Sequence, residues 1–517
     1  MVSAVLFSRL LGLLREAFIS VRFGLNELTD AYRAAFVIPD LLFFLVAGGA
    51  LSSAFIPVFT RYWTEGKEDE AWKVFSAVCT IMGAAVILLI LLAEWWAPAL
   101  VSLATPGLPE STQPLAVAMA RILLPAQFGF FMGGLMFGTM NARGHFVTPA
   151  LSPNIYNVGI IVGGAALAPI LAVPIFGLAW GALVGAVVGN LLIPIWMMRR
   201  FGVNFRPVLD FRHEGVAKVF RLMLPVVLGL SLPGVYAIVI KGFGSLHGEG
   251  AISALEIGNR IMQAPLGVFG QALAIAVFPT LVALFVKGQA SQFLAILSKT
   301  LRTSLFLGIF VSAVLFVLSE DVVRVMNQYG KFGASDTQVV AGSLKMYSLG
   351  IFAWCAHPIL MRAFFAMEDT LMPVILGTVT TGVFFLLCVV LGGGPLGYQG
   401  LALAVSVSAV VLMVLLLAGL RRKLSRVDGA RILRMTVLAG LAAVATAAAV
   451  AFAARLVPTP DGLAANAVSL GRIFVLGLGG AWLYLAIGKL LGLEEADYAL
   501  AAILRRRRPP PNDTAAR

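Results

Sequence analysis

Apolar stretches about as long as a membrane is thick recur from one end of the chain to the other, and no other feature restricts its fold so strongly. A helix needs about 20 apolar residues to cross the hydrocarbon core. Fourteen stretches meet that length: 3–22, 30–60, 73–103, 114–141, 147–170, 174–198, 217–243, 252–285, 294–319, 337–366, 370–392, 396–420, 430–454 and 467–491. Charged residues make up 12% of the 517, against roughly 25% in soluble domains, and mean hydropathy is +0.95. A soluble core does not have this composition. Alternation with a period of two over ten positions is not evident, which argues against an outer-membrane barrel. The expected fold class is an all-α polytopic membrane protein with about fourteen transmembrane helices.

The formal net charge of +13 sits mostly in loops and in the C-terminal tail, so it is a topology signal and gives no reason to expect nucleic acid. Lys and Arg cluster after the second stretch (Arg61, Lys67, Lys73), after the sixth (Arg199, Arg200, Arg206, Arg212, Lys218, Arg221), after the twelfth (Arg421, Arg422, Lys423, Arg426) and at Arg505–Arg508. The loops 104–113, 171–173, 244–251 and 393–398 hold no lysine or arginine, and 320–336 has only Arg324 and Lys331. Positive charge marks the cytoplasmic side, so both termini are expected there, as an even number of spans requires. No cleavable signal is apparent. Cys79, Cys355 and Cys388 stand singly in apolar runs, and the four histidines form no ligand pair. No phosphate-binding loop is present, so no nucleotide-driven motor is expected, nor is any enzyme motif found.

A faint internal repeat organises the chain. Ala54-Phe55-Ile56-Pro57 resembles Ala276-Val277-Phe278-Pro279 at an offset of 222, and Val147-Thr148-Pro149 resembles Leu371-Met372-Pro373 at 224. Two nearly equal offsets suggest a duplicated six-span unit in the same orientation, related by an axis along the membrane normal. The expected domains are an N-terminal lobe (1–200), a C-terminal lobe (201–425), a final helix pair (426–495) and a basic tail (496–517), with a cavity between the lobes. Gly177, Gly181, Gly185 and Gly189 recur every four residues, a spacing that lets another helix approach closely.

Charges at membrane depth mark the candidate site. A charged side chain costs roughly 2.5–3.5 kcal/mol at a helix centre on insertion scales, so it must face a partner or water. The first two stretches nevertheless carry Arg9, Arg15, Glu16, Asp30, Arg33 and Asp40. Arg9 and Glu16 share a helix face, as do Arg33 and Asp40, with Asp30 a turn from Arg33. Glu256 and Arg260 follow at i,i+4 in the eighth stretch with Gln263 beyond them, and Lys241 ends the seventh. Arginine matches phosphate through its planar fork of donors, so several cations with few compensating acids fit an anionic substrate. The alternative reading is side chains that reach for the interface or pair internally.

Phe7–Phe18 (FSRLLGLLREAF), Thr29–Leu42 (TDAYRAAFVIPDLL), Gly49–Phe59 (GALSSAFIPVF), Asn259–Pro279 (NRIMQAPLGVFGQALAIAVFP) and Gln328–Phe332 (QYGKF) resemble the MurJ (MviN) family of lipid II flippases in the multidrug/oligosaccharidyl-lipid/polysaccharide exporter superfamily. The resemblance implies fourteen helices in two six-helix lobes plus a final pair that forms a lipid-tail groove. It implies flipping of the undecaprenyl-diphosphate-linked peptidoglycan precursor to the outer leaflet of the bacterial cytoplasmic membrane by alternating access. It matches the family's cavity arginines to Arg9, Arg15 and Arg260, its aspartate to Asp30 and its serine to Ser253. Arg33 joins the expected substrate-binding set; Glu16, Asp40, Glu256 and Lys241 form the gating or coupling set. The chain departs from the family at Phe43 (usually arginine), Asp40 (asparagine), Gln263 (acidic) and Gly48 (acidic). Some members bind sodium among spans 7, 11 and 12, where the Lys241 ammonium is placed to stand in for it. No cofactor is expected beyond a coupling ion, Na⁺ or H⁺, or the membrane potential. The partners implied are lipid II or a related glycolipid, membrane lipids and cell-wall synthesis proteins. Three other readings stay open: a flippase for another polyprenyl-linked glycan, an ion-coupled drug exporter, and a non-transporting scaffold.

Overall fold

The structure is a computed structural model that describes residues 2–44, 50–424, 428–458 and 463–505; side chains at 2–6, 9, 50–53, 224–234, 463–464 and 502–505 also lie outside the described set. Arg9 as a side chain, Gly48, and the tail beyond Arg505 are therefore outside it. Among the described residues every regular element is a helix and no strand occurs.

The chain packs as two compact units. The first holds 1–257 with two later segments, 329–336 and 388–401. Its helices are α1 (Val2–Phe23), α2 (Glu27–Ala35), α3 (Val37–Leu42), α4 (Ala50–Thr64), α5 (Glu68–Ala104), α6 (Gln113–Leu123), α7 (Ala126–Ala142), α8 (Val147–Ala166), α9 (Phe176–Ala186), α10 (Ile193–Arg200), α11 (Glu214–Ser245) and the first half of α12 (Ala251–Leu266). The second holds the rest of α12, then α13 (Ala272–Val286), α14 (Ala290–Val317), α15 (Ser319–Asn327), α16 (Ala334–Ser348), α17 (Ile351–Ala366), α18 (Leu371–Leu387), most of α19 (Tyr398–Leu424), α20 (Gly429–Leu456), α21 (Leu463–Leu490) and α22 (Glu494–Arg505). These packed units do not follow the boundaries at 200 and 425 that the internal repeat suggests.

Nine helical stretches among the described residues are long and apolar enough to cross a membrane, ten if α16 and α17, bent by 47°, form one span. The other four expected stretches are helical too, for reasons that keep them out of that count. α1 carries four charges, Arg9, Arg15, Glu16 and Arg22. α8 holds Pro149, Pro153, Asn154 and Asn157. Part of α11 lies outside the described side chains. The stretch 30–60 is not one helix. α2 starts with a reciprocal cap, Asn26 accepting from the Thr29 N–H (3.1 Å) while Thr29 Oγ1 accepts from the Asn26 N–H (3.0 Å). Pro39 has no N–H to give Ala35 and its ring crowds that carbonyl, so the helix breaks at Phe36 and resumes as α3.

The glycine stripe of α9 meets a second stripe on α8. A Cβ on Gly163 would lie 2.3 Å from the Gly177 carbonyl oxygen, and one on Gly159 would lie 2.6 Å from that of Gly181. Backbone touches backbone here, which is how apolar helices gain packing where lipid offers no hydrophobic drive.

The second unit bends α16 into α17 at Gly350, where a Cβ would sit 2.7 Å from Ser406 Cα. The bend frees carbonyls, and the Ser406 hydroxyl donates to those of Met346 (2.7 Å) and Tyr347 (3.1 Å). Arg302 on α14 pairs with Glu495 at 2.6 Å, holding α22 to the bundle. Tyr484 donates to the Phe306 carbonyl at 2.9 Å. Cys79, Cys355 and Cys388 are free and buried.

A buried ion network and a cleft in the first unit

The first unit gathers most of the charges singled out in the sequence. Arg33 is 3% exposed and sits at the centre. Its Nη2 lies 3.0 Å from Glu16 Oε2, its Nη1 3.4 Å from Glu256 Oε1, and its Nε donates to Ser253 Oγ at 3.0 Å. Glu16 Oε1 in turn takes Arg15 Nη2 at 2.7 Å, and Arg15 Nη1 donates to Asn157 Oδ1 at 3.0 Å. Arg15 Nε is buried with no protein partner. Helices α1, α2, α8 and α12 are thus tied by side chains far apart in sequence.

Asp30 takes a different place. Its carboxylate accepts from the Gly250 and Ser253 N–H groups, both at 2.8 Å, and so caps α12 from another helix. The first turn of a helix has N–H groups without internal partners and a partial positive charge, and an anion there satisfies both. Ser253 is used twice, its N–H on Asp30 and its hydroxyl on Arg33.

The expected excess of cations is not what these residues form. Arg15 and Arg33 face Glu16 and Glu256, and Lys241 donates to Asp40 Oδ2 at 3.3 Å. Each described cation of the first unit's set has a carboxylate, because an unpaired buried charge costs several kcal/mol while a paired one recovers much of that. Arg260 and Gln263 belong to the second unit. Arg260 is half-buried on α12, and exposed Gln263 donates to Asn259 Oδ1 at 3.1 Å.

Beside α3 the first unit opens a cleft of about 240 Å³. Phe36, Asp40, Phe43, Gln127, Phe130 and Tyr156 contribute to its wall. Phe43 stands edge-on to Phe130 (5.7 Å, 81°), and Phe130 edge-on to Tyr156 (5.3 Å, 73°). Phe43 is thus part of an aromatic wall. Asp40 leaves 41% of its side chain exposed. Gln127 is 8% exposed, and its Oε1 is buried with no protein partner.

Sequence reasoning missed Asn157, Gln127 and Tyr156. The available signals were polar side chains inside apolar stretches and, for Gln127, a neighbouring Pro125 that interrupts the helix. It also missed a charge cluster of the second unit, where Arg324 meets Glu320 (2.6 Å), Asp321 (3.5 Å) and Ser469 (3.0 Å), and Arg472 meets Asp321 (3.4 Å). Arg472 within an apolar run was the signal there.

The family described as lipid II flippase MurJ matches residues 19–464. A protein of Burkholderia cenocepacia named lipid II flippase MurJ is 31% identical over 432 residues, covering 81% of this chain and 82% of that one. Probable lipid II flippases of Vibrio cholerae (29% identical) and Thermotoga maritima (28%) are covered over 96% of their lengths, with 96% and 97% of this chain. A solved structure of lipid II flippase MurJ in an inward closed conformation superposes with a TM-score of 0.77 at 23% identity, over 94% of this chain and 97% of that one. An inward-facing multidrug resistance MATE transporter of the MOP superfamily shares the fold, with a TM-score of 0.68 at 15% identity over 82% and 96%. On the family match and on relatives at this identity and coverage, the chain belongs to the lipid II flippase MurJ family.

Proposed function

We propose that this chain moves lipid II, the undecaprenyl-diphosphate-linked peptidoglycan precursor, from the inner to the outer leaflet of the bacterial cytoplasmic membrane by alternating access, as a transporter and not an enzyme. The observation that carries this reading is an exchangeable cation. Arg15 is held by side chains alone, Glu16 and Asn157, and keeps Nε unpartnered. A diphosphate, like a carboxylate, offers pairs of anionic oxygens that two guanidinium N–H groups can reach at once. Arg9 and Arg260 complete the diphosphate site in this reading. Arg33, Glu16 and Glu256, with Asp30 on Ser253, form the contacts that exchange between inward and outward states, and Lys241–Asp40 is a second such pair.

The lobes at 1–200 and 201–425 rock about the cavity, and the pair at 426–495 holds the lipid tail. Both termini lie in the cytoplasm, and cell-wall synthesis enzymes receive the product. The membrane potential drives the cycle, or a Na⁺ or H⁺ gradient does; one elementary charge is worth about 2.3 kcal/mol per 100 mV, which is enough to bias a two-state element. Phe43 in the cleft favours one second reading, a flippase for another polyprenyl-linked glycan.

Complementation tests the proposal. Wild type is expected to rescue a bacterium depleted of its own lipid II flippase, and Arg260→Ala is expected not to. No rescue by wild type despite good membrane expression overturns the lipid II reading. Rescue by both removes Arg260 from the site.

A further inference from the structure

We propose that the cleft beside α3 is a subsite for one neutral sugar ring bearing an acylated amine, the N-acetylhexosamine end of the headgroup; this rests on the flippase reading above. Charge decides the class of ligand. Among the described residues no arginine or lysine lines the cleft, so it offers a diphosphate no unpaired cation there. Its one carboxylate, Asp40, already faces the Lys241 ammonium at 3.3 Å, so the pair is close to neutral and a cationic ligand gains little. A neutral ligand meets no such opposition.

The lining then specifies its chemistry. Gln127 Oε1 is buried without a partner, and an orphaned acceptor gains most from a donor such as an amide N–H or a hydroxyl. The exposed part of Asp40 accepts from ring hydroxyls. Phe43, Phe130 and Tyr156 present aromatic faces and edges that suit the apolar C–H side of a sugar ring. A lipid tail would leave Gln127 and Asp40 unanswered. The volume, about 240 Å³, falls below the roughly 300–1,000 Å³ of pockets that take drug-sized ligands, which fits one ring and not a whole headgroup.

Position supports the same division. Tyr156 lines the cleft, and Asn157, the next residue on α8, holds Arg15. A headgroup whose diphosphate lies on Arg15 therefore meets the same turn of α8 that walls the cleft. The arginine-to-phenylalanine departure at 43 acquires a role in this arrangement: it exchanges a phosphate-type contact for a stacking one.

The test compares two probes on full-length protein in nanodiscs: a short-chain lipid II, which carries both sugars, and farnesyl diphosphate, which carries none. Gln127→Leu and, separately, Phe130→Leu are expected to weaken the lipid II analogue about tenfold, the effect of losing one good polar or stacking contact, and to leave farnesyl diphosphate unchanged. N-acetylglucosamine in excess is expected to compete with the analogue on wild type and not on Gln127→Leu. Unchanged affinity in both variants overturns the sugar subsite while leaving the flippase reading intact. Equal weakening of both probes overturns it as well, since the change is then structural. Failure of wild type to bind the analogue at all overturns both readings together.

Discussion

Arg472 of the second unit and Arg15 and Arg33 of the first all lie beside carboxylates, and their remaining partners differ. In the second unit, Arg472 donates to the carbonyls of Ala454 and Val457 at the end of α20 as well as pairing with Asp321. Those carbonyls have no other helical partner, so the guanidinium closes a helix end that must always be closed. In the first unit, Arg15 and Arg33 meet side-chain atoms only: Glu16, Glu256, Ser253 and Asn157. A side-chain carboxylate can be traded for another acceptor, whereas a backbone helix end has no second arrangement that keeps the helix. Arg472 is therefore a fastening, whereas the contacts of Arg15 and Arg33 have a second arrangement open to them; Arg324 of the second unit, held by Glu320, Asp321 and Ser469, resembles those two in its partners.

Variants can break that contrast in order of effect. Gly163→Leu drives side-chain atoms into the α9 backbone, where even a Cβ falls 2.3 Å from the Gly177 carbonyl oxygen. Loss of folded protein is expected on fluorescence-detected size exclusion, because neither helix can retreat without losing the interface. Arg33→Ala removes the guanidinium that Glu16 and Glu256 share, and removing one partner of a buried pair costs about 3–5 kcal/mol; the melting temperature in detergent is expected to drop sharply.

Arg15→Ala and Arg472→Ala then separate the two uses. Arg472→Ala is expected to destabilise by about 1–2 kcal/mol, the scale of a lost helix-end contact, while keeping transport. Arg15→Ala leaves Glu16 with Arg33, so it is expected to lower the melting temperature less than Arg33→Ala does, and to lose transport. The reverse pattern would dissolve the distinction. The smallest effect concerns pH. At the start of α18, burial works to raise the Asp369 pKa, but Lys423 Nζ at 2.5 Å and the Met372 N–H at 3.0 Å hold the carboxyl below its ordinary value. A depressed folded pKa stabilises above the unfolded value of about 3.9 and stops doing so as pH falls through the folded one. The melting temperature of wild type is expected to exceed that of Asp369→Asn at pH 7, and the gap to close below about pH 4.

Much of this was legible in the sequence, because the membrane imposes its demands on every span. Apolar length gave the helices, and the α9 glycine period gave a close approach, although Gly159 and Gly163 on the partner helix carry no equally regular period. The motif blocks and the charges at depth singled out Glu16, Arg33 and Glu256. What stayed hidden was pairing. Sequence shows that Arg33 and Glu256 are charged, not that 223 residues of chain bring them to 3.4 Å, so a balanced network was read as a cation-rich cavity. Asp30 as a cap for α12 was hidden for the same reason, since capping is recognised locally and this cap comes from another helix. The cleft at Phe43 needs α3, α6, α7 and α8 at once, which no single stretch discloses.

The most direct measurement is translocation in proteoliposomes loaded with fluorophore-labelled lipid II, read by a membrane-impermeant reductant that bleaches only the outer leaflet. With a membrane potential imposed, wild type is expected to bring nearly all the label within reach of the reductant, and Arg15→Ala to behave as empty liposomes do, at equal reconstitution of folded protein. Arg15→Ala moving the label as fast as wild type would contradict the account of an exchangeable cation, and a wild type indistinguishable from empty liposomes would contradict the account of the protein.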